Sequence, residues 1–180
     1  MAMLRFLGML GFIYVGLVLQ SGVIADVPEP GRPFLPAILL IVAAGAFDPL
    51  VAMLLAGIIG FLLDGLSTDK LGIQLTVTVL LGFGLQLVFP LWRSKGLLAL
   101  SAMTMLTCLI WRLATPYVYA TLAGQSLDPH AVMTRAIQEA VGTAVVGALL
   151  ILIWRGTIGH RPHRRESVRA VKTAWQMATR

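Results

Sequence analysis

Apolar residues run through this chain in long blocks parted by brief polar breaks. The blocks cover residues 4–24, 33–47, 50–66, 71–89, 96–115 and 131–154. Most approach or exceed the ~20 residues that carry a helix across the hydrocarbon core of a bilayer. The pattern predicts six membrane-spanning helices. The second and third blocks are nearly continuous and are parted by Asp48-Pro49. Proline disfavours helix at the residue before it, and a carboxylate at mid-membrane is expensive. A tight turn at the membrane interface is therefore expected there, which leaves the second span about 15 residues, near the lower limit for crossing. The first block lacks a small-residue cleavage site and is followed by Val27-Pro28-Glu29-Pro30, so it is expected to remain as a helix rather than be removed as a signal.

Composition agrees with this picture. Of 180 residues, 58% are hydrophobic and 12% charged, whereas a soluble domain is roughly 25% charged. The expected fold class is an all-α integral membrane protein, with a transmembrane domain over residues 1–154 and a basic cytoplasmic tail over 155–180. Charge placement orients it. With the amino terminus inside, the inner segments hold Arg5, Arg93, Lys95 and a tail bearing Arg155, Arg161, Arg164, Arg165, Arg169, Lys172 and Arg180. The outer segments hold Asp26, Glu29, Asp64, Asp69 and Asp128 against Arg32 and Lys70. Lys and Arg accumulate on the cytoplasmic side of membrane helices, so both termini are expected in the cytoplasm.

Five of the spans carry a stripe of mostly small or polar residues at a spacing of four, and residues so spaced share a helix face. The stripes are Gly8, Phe12, Gly16, Gln20; Ala56, Gly60, Asp64; Gln74, Thr78, Gly82, Gln86; Thr104, Cys108, Arg112; and Arg135, Glu139, Thr143, Gly147. They are expected to face inward. Small residues let backbones approach, and hydroxyls and amides bond across helices. The alternative is a lined cavity for a solute. Arg112 falls near the outer end of the fifth span, and Glu139 about two turns into the sixth. Antiparallel helices bring the two to similar depth, which suggests an ion pair, with Arg135 one turn before Glu139 on the same face and reaching for the interface. A proton or ion path through Arg112 and Glu139 is the functional alternative. Asp64 is expected to accept backbone amides at the start of the next helix, which Leu71-Gly72 opens. There its charge also suits the helix dipole; contact with a partner's extracytoplasmic stalk or helix is the functional reading, compatible with the first.

The sequence holds no His-Glu-x-x-His, Gly-x-Ser-x-Gly or Walker motif, and no enzymatic activity, cofactor or metal is expected. His160 and His163 stand among arginines, and Cys108 is the lone cysteine. In the tail, Val168, Val171, Trp175 and Ala178 share one side of a helix, with Arg164, Arg165, Arg169 and Lys172 among the cations. A basic amphipathic helix with a tryptophan suits an anionic lipid surface, and no nucleic-acid partner is expected.

Taken in order, Pro33…Leu39-Leu40-Ile41, Asp48-Pro49, and Gly57…Gly60-Phe61…Asp64-Gly65-Leu66-Ser67…Leu71-Gly72 resemble the core signature of the bacterial rod shape-determining protein MreD family. Trp92-Arg93-Ser94-Lys95 sits where that family has an aromatic and basic cytoplasmic turn. The likeness covers the first five spans well and the sixth loosely, and the chain departs from the family in its Arg-rich tail and in a long loop over 116–130. The resemblance implies a six-helix bundle similar to the substrate-binding subunit of energy-coupling-factor transporters, in the bacterial cytoplasmic membrane. It implies a non-enzymatic role in the cell-elongation machinery, in association with an MreC-like protein and, indirectly, with wall-synthesis enzymes and MreB-like filaments. Gly60, Asp64 and Gly72 match the motif closely enough to carry over, and the family gives them no catalytic work. The shared fold makes a vitamin-binding transporter subunit the alternative. That alternative needs an Ala-x-x-x-Ala type motif on the first helix, where this chain has Gly8, Gly16 and Gly22.

Overall fold

The computed structural model describes residues 2–22, 24, 32–66, 72–92, 96–124 and 126–158. The described residues form six helices and no strand: α1 (Ala2–Ser21), α2 (Leu35–Ala46), α3 (Pro49–Leu66), α4 (Ile73–Trp92), α5 (Leu97–Ala123) and α6 (Pro129–Ile158). Three are long and apolar enough to cross a membrane, at Met3–Ser21, Pro49–Leu66 and Leu97–Ala123. The chain divides into two units, Met1–Ala148 and Leu149–Arg180, and the division falls inside α6. The sequence places the end of the transmembrane domain at 154, and α6 itself runs to Ile158. The tail residues Arg164, Arg165, Arg169, Lys172 and Trp175 lie outside the described residues.

The second apolar block becomes the core of the first unit. α2 has 12 residues, about 18 Å at 1.5 Å per residue, which falls well short of a hydrocarbon thickness of ~30 Å. Pro36, Ala37, Ile38, Leu39, Leu40, Ile41, Ala43 and Ala44 are all buried, so the helix is covered on every side, as expected of an all-apolar helix within a protein. It packs against α1, α3, α4 and α5, and Ile38 also lies beside Gly147 of α6. A helix enclosed by protein has no lipid thickness to match, which explains its length. Asp48-Pro49 makes the expected turn. Phe47 N–H donates to the Ala43 carbonyl at 3.2 Å, and Ala52 N–H donates to that of Asp48 at 2.9 Å. Proline opens α3 at a position where no donor is needed.

α3 and α4 meet along a seam of small residues. At Gly60 a β-carbon would stand 2.6 Å from the Leu75 Cα, so the two backbones touch there; at Gly82 it would stand 2.8 Å from the Ala56 Cβ. The stripes of α3 and α4 thus lie inward, as do Thr104 and Cys108 of α5 and Glu139, Thr143 and Gly147 of α6. The first stripe is different. Gly16 is buried against Leu39, but Gly8 and Phe12 are exposed, and the inward face of α1 is built from Met9, Ile13, Gly16 and Leu17. Apolar packing against α2 and α3 sets that face, and a glycine turned outward strands no polar side chain.

The segment expected as a loop over 116–130 is mostly helix. α5 runs through Pro116 to Ala123 and ends at Gly124 in the left-handed conformation, whose N–H donates to the Ala120 carbonyl. Proline is tolerated inside helices of membrane proteins, where neighbouring groups take up the freed backbone. Arg112 is therefore followed by eleven further helical residues and does not stand near the helix end.

The Gly60 contact yields a direct test. Gly60→Ala should destabilise the folded protein by about 1–3 kcal/mol through overpacking against backbone. Gly57→Ala, where the nearest atom to the new carbon is Val79 Cγ2 at 4.0 Å, should be near neutral. Thermal unfolding in detergent of the two variants compares them.

Candidate functional site

The motif residues come together as a clasp on the α3–α4 hairpin. α4 begins at Ile73, and the residue before it, Gly72, has no side chain to cap the first amides. Asp64, in the last turn of α3, supplies the acceptors. Its Oδ2 takes the N–H groups of Gly72 and Leu75, and its Oδ1 takes that of Gln74, each at 3.0 Å. These are donors that a helix start leaves open, and an anion there is also favoured by the helix dipole. Gly72 has φ +98, a conformation that side chains resist, and Gly60 lets α3 close onto Leu75 one turn below. Asp64 is buried, and its carboxylate is taken up within the hairpin.

The clasp continues into the rest of the bundle. Gln74, held through its N–H by Asp64, accepts the indole N–H of Trp111 through Oε1 at 3.0 Å. Trp111 is buried and meets Phe34 edge-on, with centroids 4.9 Å apart at 82°. Phe34 precedes α2, and its N–H donates to Thr143 Oγ1 at 2.8 Å. Beside it, Leu35 N–H donates to Gln20 Oε1 at 2.8 Å. The Thr143 hydroxyl donates to the Glu139 carbonyl at 2.6 Å and stands 3.4 Å from Cys108 Sγ. A hydroxyl has one proton and two lone pairs. With its proton committed to Glu139, Thr143 accepts from both Phe34 and the Cys108 thiol, and its bonding capacity is filled.

Arg112 and Glu139 form an ion pair across α5 and α6. Arg135 Nε stands 3.6 Å from the other Glu139 oxygen, one turn away on the same helix. Glu139 is buried, Arg112 is about one-third exposed and Arg135 largely exposed. The Arg112 guanidinium also lies 4.2 Å above the Phe34 ring centroid, an arrangement in which the ring quadrupole attracts the cation. A cavity of about 360 Å³ opens beside the pair, lined by Arg112, Pro116, Val132, Arg135, Ala136 and Glu139.

All six membrane-domain candidates thus gather into two groups, Gly60, Asp64 and Gly72 in the clasp and Arg112, Arg135 and Glu139 at the cavity. Sequence reasoning missed the residues between them, Phe34 and Trp111. The signals were available: an aromatic directly after Pro33, and a tryptophan inside an apolar block next to an arginine. No family model, curated protein or solved structure matches the chain.

Asp64→Ala should lose about 1–3 kcal/mol, because three amides lose their acceptor, and thermal unfolding in detergent measures it. Wild-type stability would show that solvent replaces the carboxylate. For the ion pair, Arg112→Leu and Glu139→Leu should each destabilise more than the double variant. A buried charge left alone is the costly state, with losses toward the lower end of ~3–5 kcal/mol given the partial exposure of Arg112. Additive losses would show that the two residues act independently.

Proposed function

We propose that this chain is a non-enzymatic scaffold subunit of the MreD type. In this reading it crosses the bacterial cytoplasmic membrane as a six-helix bundle, keeps both termini inside, and holds an MreC-like partner within the machinery of lateral wall synthesis. One observation carries the reading: several residues of the MreD-like signature serve to fix a shape. Leu39, Leu40 and Ile41 fill the enclosed helix α2, Asp48-Pro49 turns the chain into α3, and Gly60, Asp64 and Gly72 close the α3–α4 hairpin. A subunit that presents a rigid face to a partner needs such a framework and needs no reactive group. Contact with wall-synthesis enzymes and MreB-like filaments would be indirect, and the basic tail would lie on anionic lipid at the inner leaflet.

A solute-capturing subunit of an energy-coupling-factor transporter is the second reading. The cavity beside Arg112 and Glu139 favours it, being of a volume at the small end of ligand pockets, ~300–1,000 Å³. Against it, the enclosed helix α2 fills the centre of the bundle.

Affinity purification of the tagged chain from native bacterial membranes, with identification of co-purifying proteins, separates the readings. The scaffold reading expects an MreC-like protein, recovered several-fold less with Asp64→Ala at equal amounts of bait. Recovery of an ATPase pair with a membrane coupling subunit, and no wall-synthesis protein, would overturn it in favour of the second.

A further inference from the structure

We propose that α5 is hinged at Pro116 and that its last segment, residues 117–123, is a lid that regulates the access of water to the Arg112–Glu139 pair. The inference stands apart from the scaffold reading and rests on how α5 is held along its length. Before Pro116 the helix is fastened by side chains at successive turns. Thr104 lies against Gly147, Cys108 meets Thr143, Trp111 donates to Gln74 and Arg112 pairs with Glu139. Beyond Pro116 the helix has little cover. Of residues 117–123 only Ala120 is buried, and Tyr117 and Val118 are exposed. Segments with few buried apolar contacts are those that move at low cost in free energy.

The turn between the two parts is the one where α5 departs from a regular helix. Pro116 has no N–H for the Arg112 carbonyl, and its ring crowds that carbonyl; sharp helix bends fall most often at such prolines. Thr115, beside it, departs as well. The hydroxyls of Thr104, Thr107 and Thr121 each donate to the carbonyl four residues back, at 2.8, 2.8 and 2.7 Å. The buried Thr115 Oγ1 has no hydrogen-bond partner among the described residues. A buried hydroxyl left unpaired is costly, so this turn gains a bond in any bend that gives Thr115 an acceptor. The cavity opens at the same turn. Arg112 and Pro116 line it from α5, facing Val132, Ala136 and Glu139 of α6. A bend that carries residues 117–123 away from α6 widens its mouth and admits water to the buried carboxylate. The opposite bend covers it.

The test is the rate at which a water-soluble maleimide labels Ala136→Cys, buried on the cavity wall, in the purified full chain in detergent. Cys108, the one cysteine of the chain, is replaced by serine throughout. Pro116→Ala restores the missing amide, and it should slow the labelling of Ala136→Cys several-fold. Thr134→Cys, exposed on the same helix, should react at one rate with either residue at 116. An unchanged rate at Ala136→Cys, or an equal slowing at both positions, would overturn the proposal. A second measurement keeps the proline in place and so does not depend on the folding of Pro116→Ala. Spin labels are paired between exposed Leu54 of α3 and either Thr121, beyond the hinge, or Leu106, before it. The distance distribution to Thr121 should be the broader. Distributions of equal width would show α5 to move as one rigid rod, and the lid would be ruled out.

Discussion

A helix start leaves its first amides without partners inside the helix, and in this protein α4 and α2 receive their acceptors from other helices. Asp64 of α3 takes three N–H groups at the start of α4. Gln20 of α1 and Thr143 of α6 take the two at the start of α2. Amides left without an acceptor there are costly, so these side chains are a condition of the helices they cap. Helix formation and helix packing become one event: α4 acquires its cap only with α3 in place, and α2 only with α1 and α6.

Those caps also join the two groups of candidate residues. From Asp64 the contacts pass through Gln74 to the Trp111 indole, across the aromatic edge to Phe34, and on to Thr143, whose hydroxyl bonds the Glu139 carbonyl. Phe34 is the junction. Its backbone binds α6, its ring meets Trp111 of α5, and its face carries the Arg112 cation. The hairpin clasp and the charged cavity are thus ends of one packed network, and a change at either end has a physical route to the other.

The charged site shows how a membrane protein keeps ionic groups at depth. Glu139 is buried yet meets a guanidinium with each oxygen, and Arg112 divides its charge between that carboxylate and an aromatic face. Pro116 adds an opening. It has no N–H to offer the Arg112 carbonyl one turn back, so the helix backbone is least tied at the level of the cavity that both residues line.

The order of the helices, the break at Asp48-Pro49, the inward faces of α3 to α6, the amide-capping role of Asp64 and the facing of Arg112 and Glu139 could all be read from the sequence. Each depends on quantities local to the chain: periodicity, the stereochemistry of proline, the cost of a carboxylate in an apolar run, and the equal depth of residues on consecutive antiparallel helices. What the tertiary structure alone decided is where non-adjacent helices meet. α2 reads as a short span, but it is the enclosed core, because five other helices leave it no lipid to face. α5 reads as ending at Thr115, but it continues to Ala123, because a helix in a bundle can absorb a missing amide bond. Gly8 and Phe12 keep the four-residue spacing of α1 but face outward, because packing against α2 and α3 fixes that helix's rotation. Phe34 and Trp111 show no pairing in one dimension, since an aromatic contact between residues 77 positions apart exists only once the helices that carry them have been brought together by their caps.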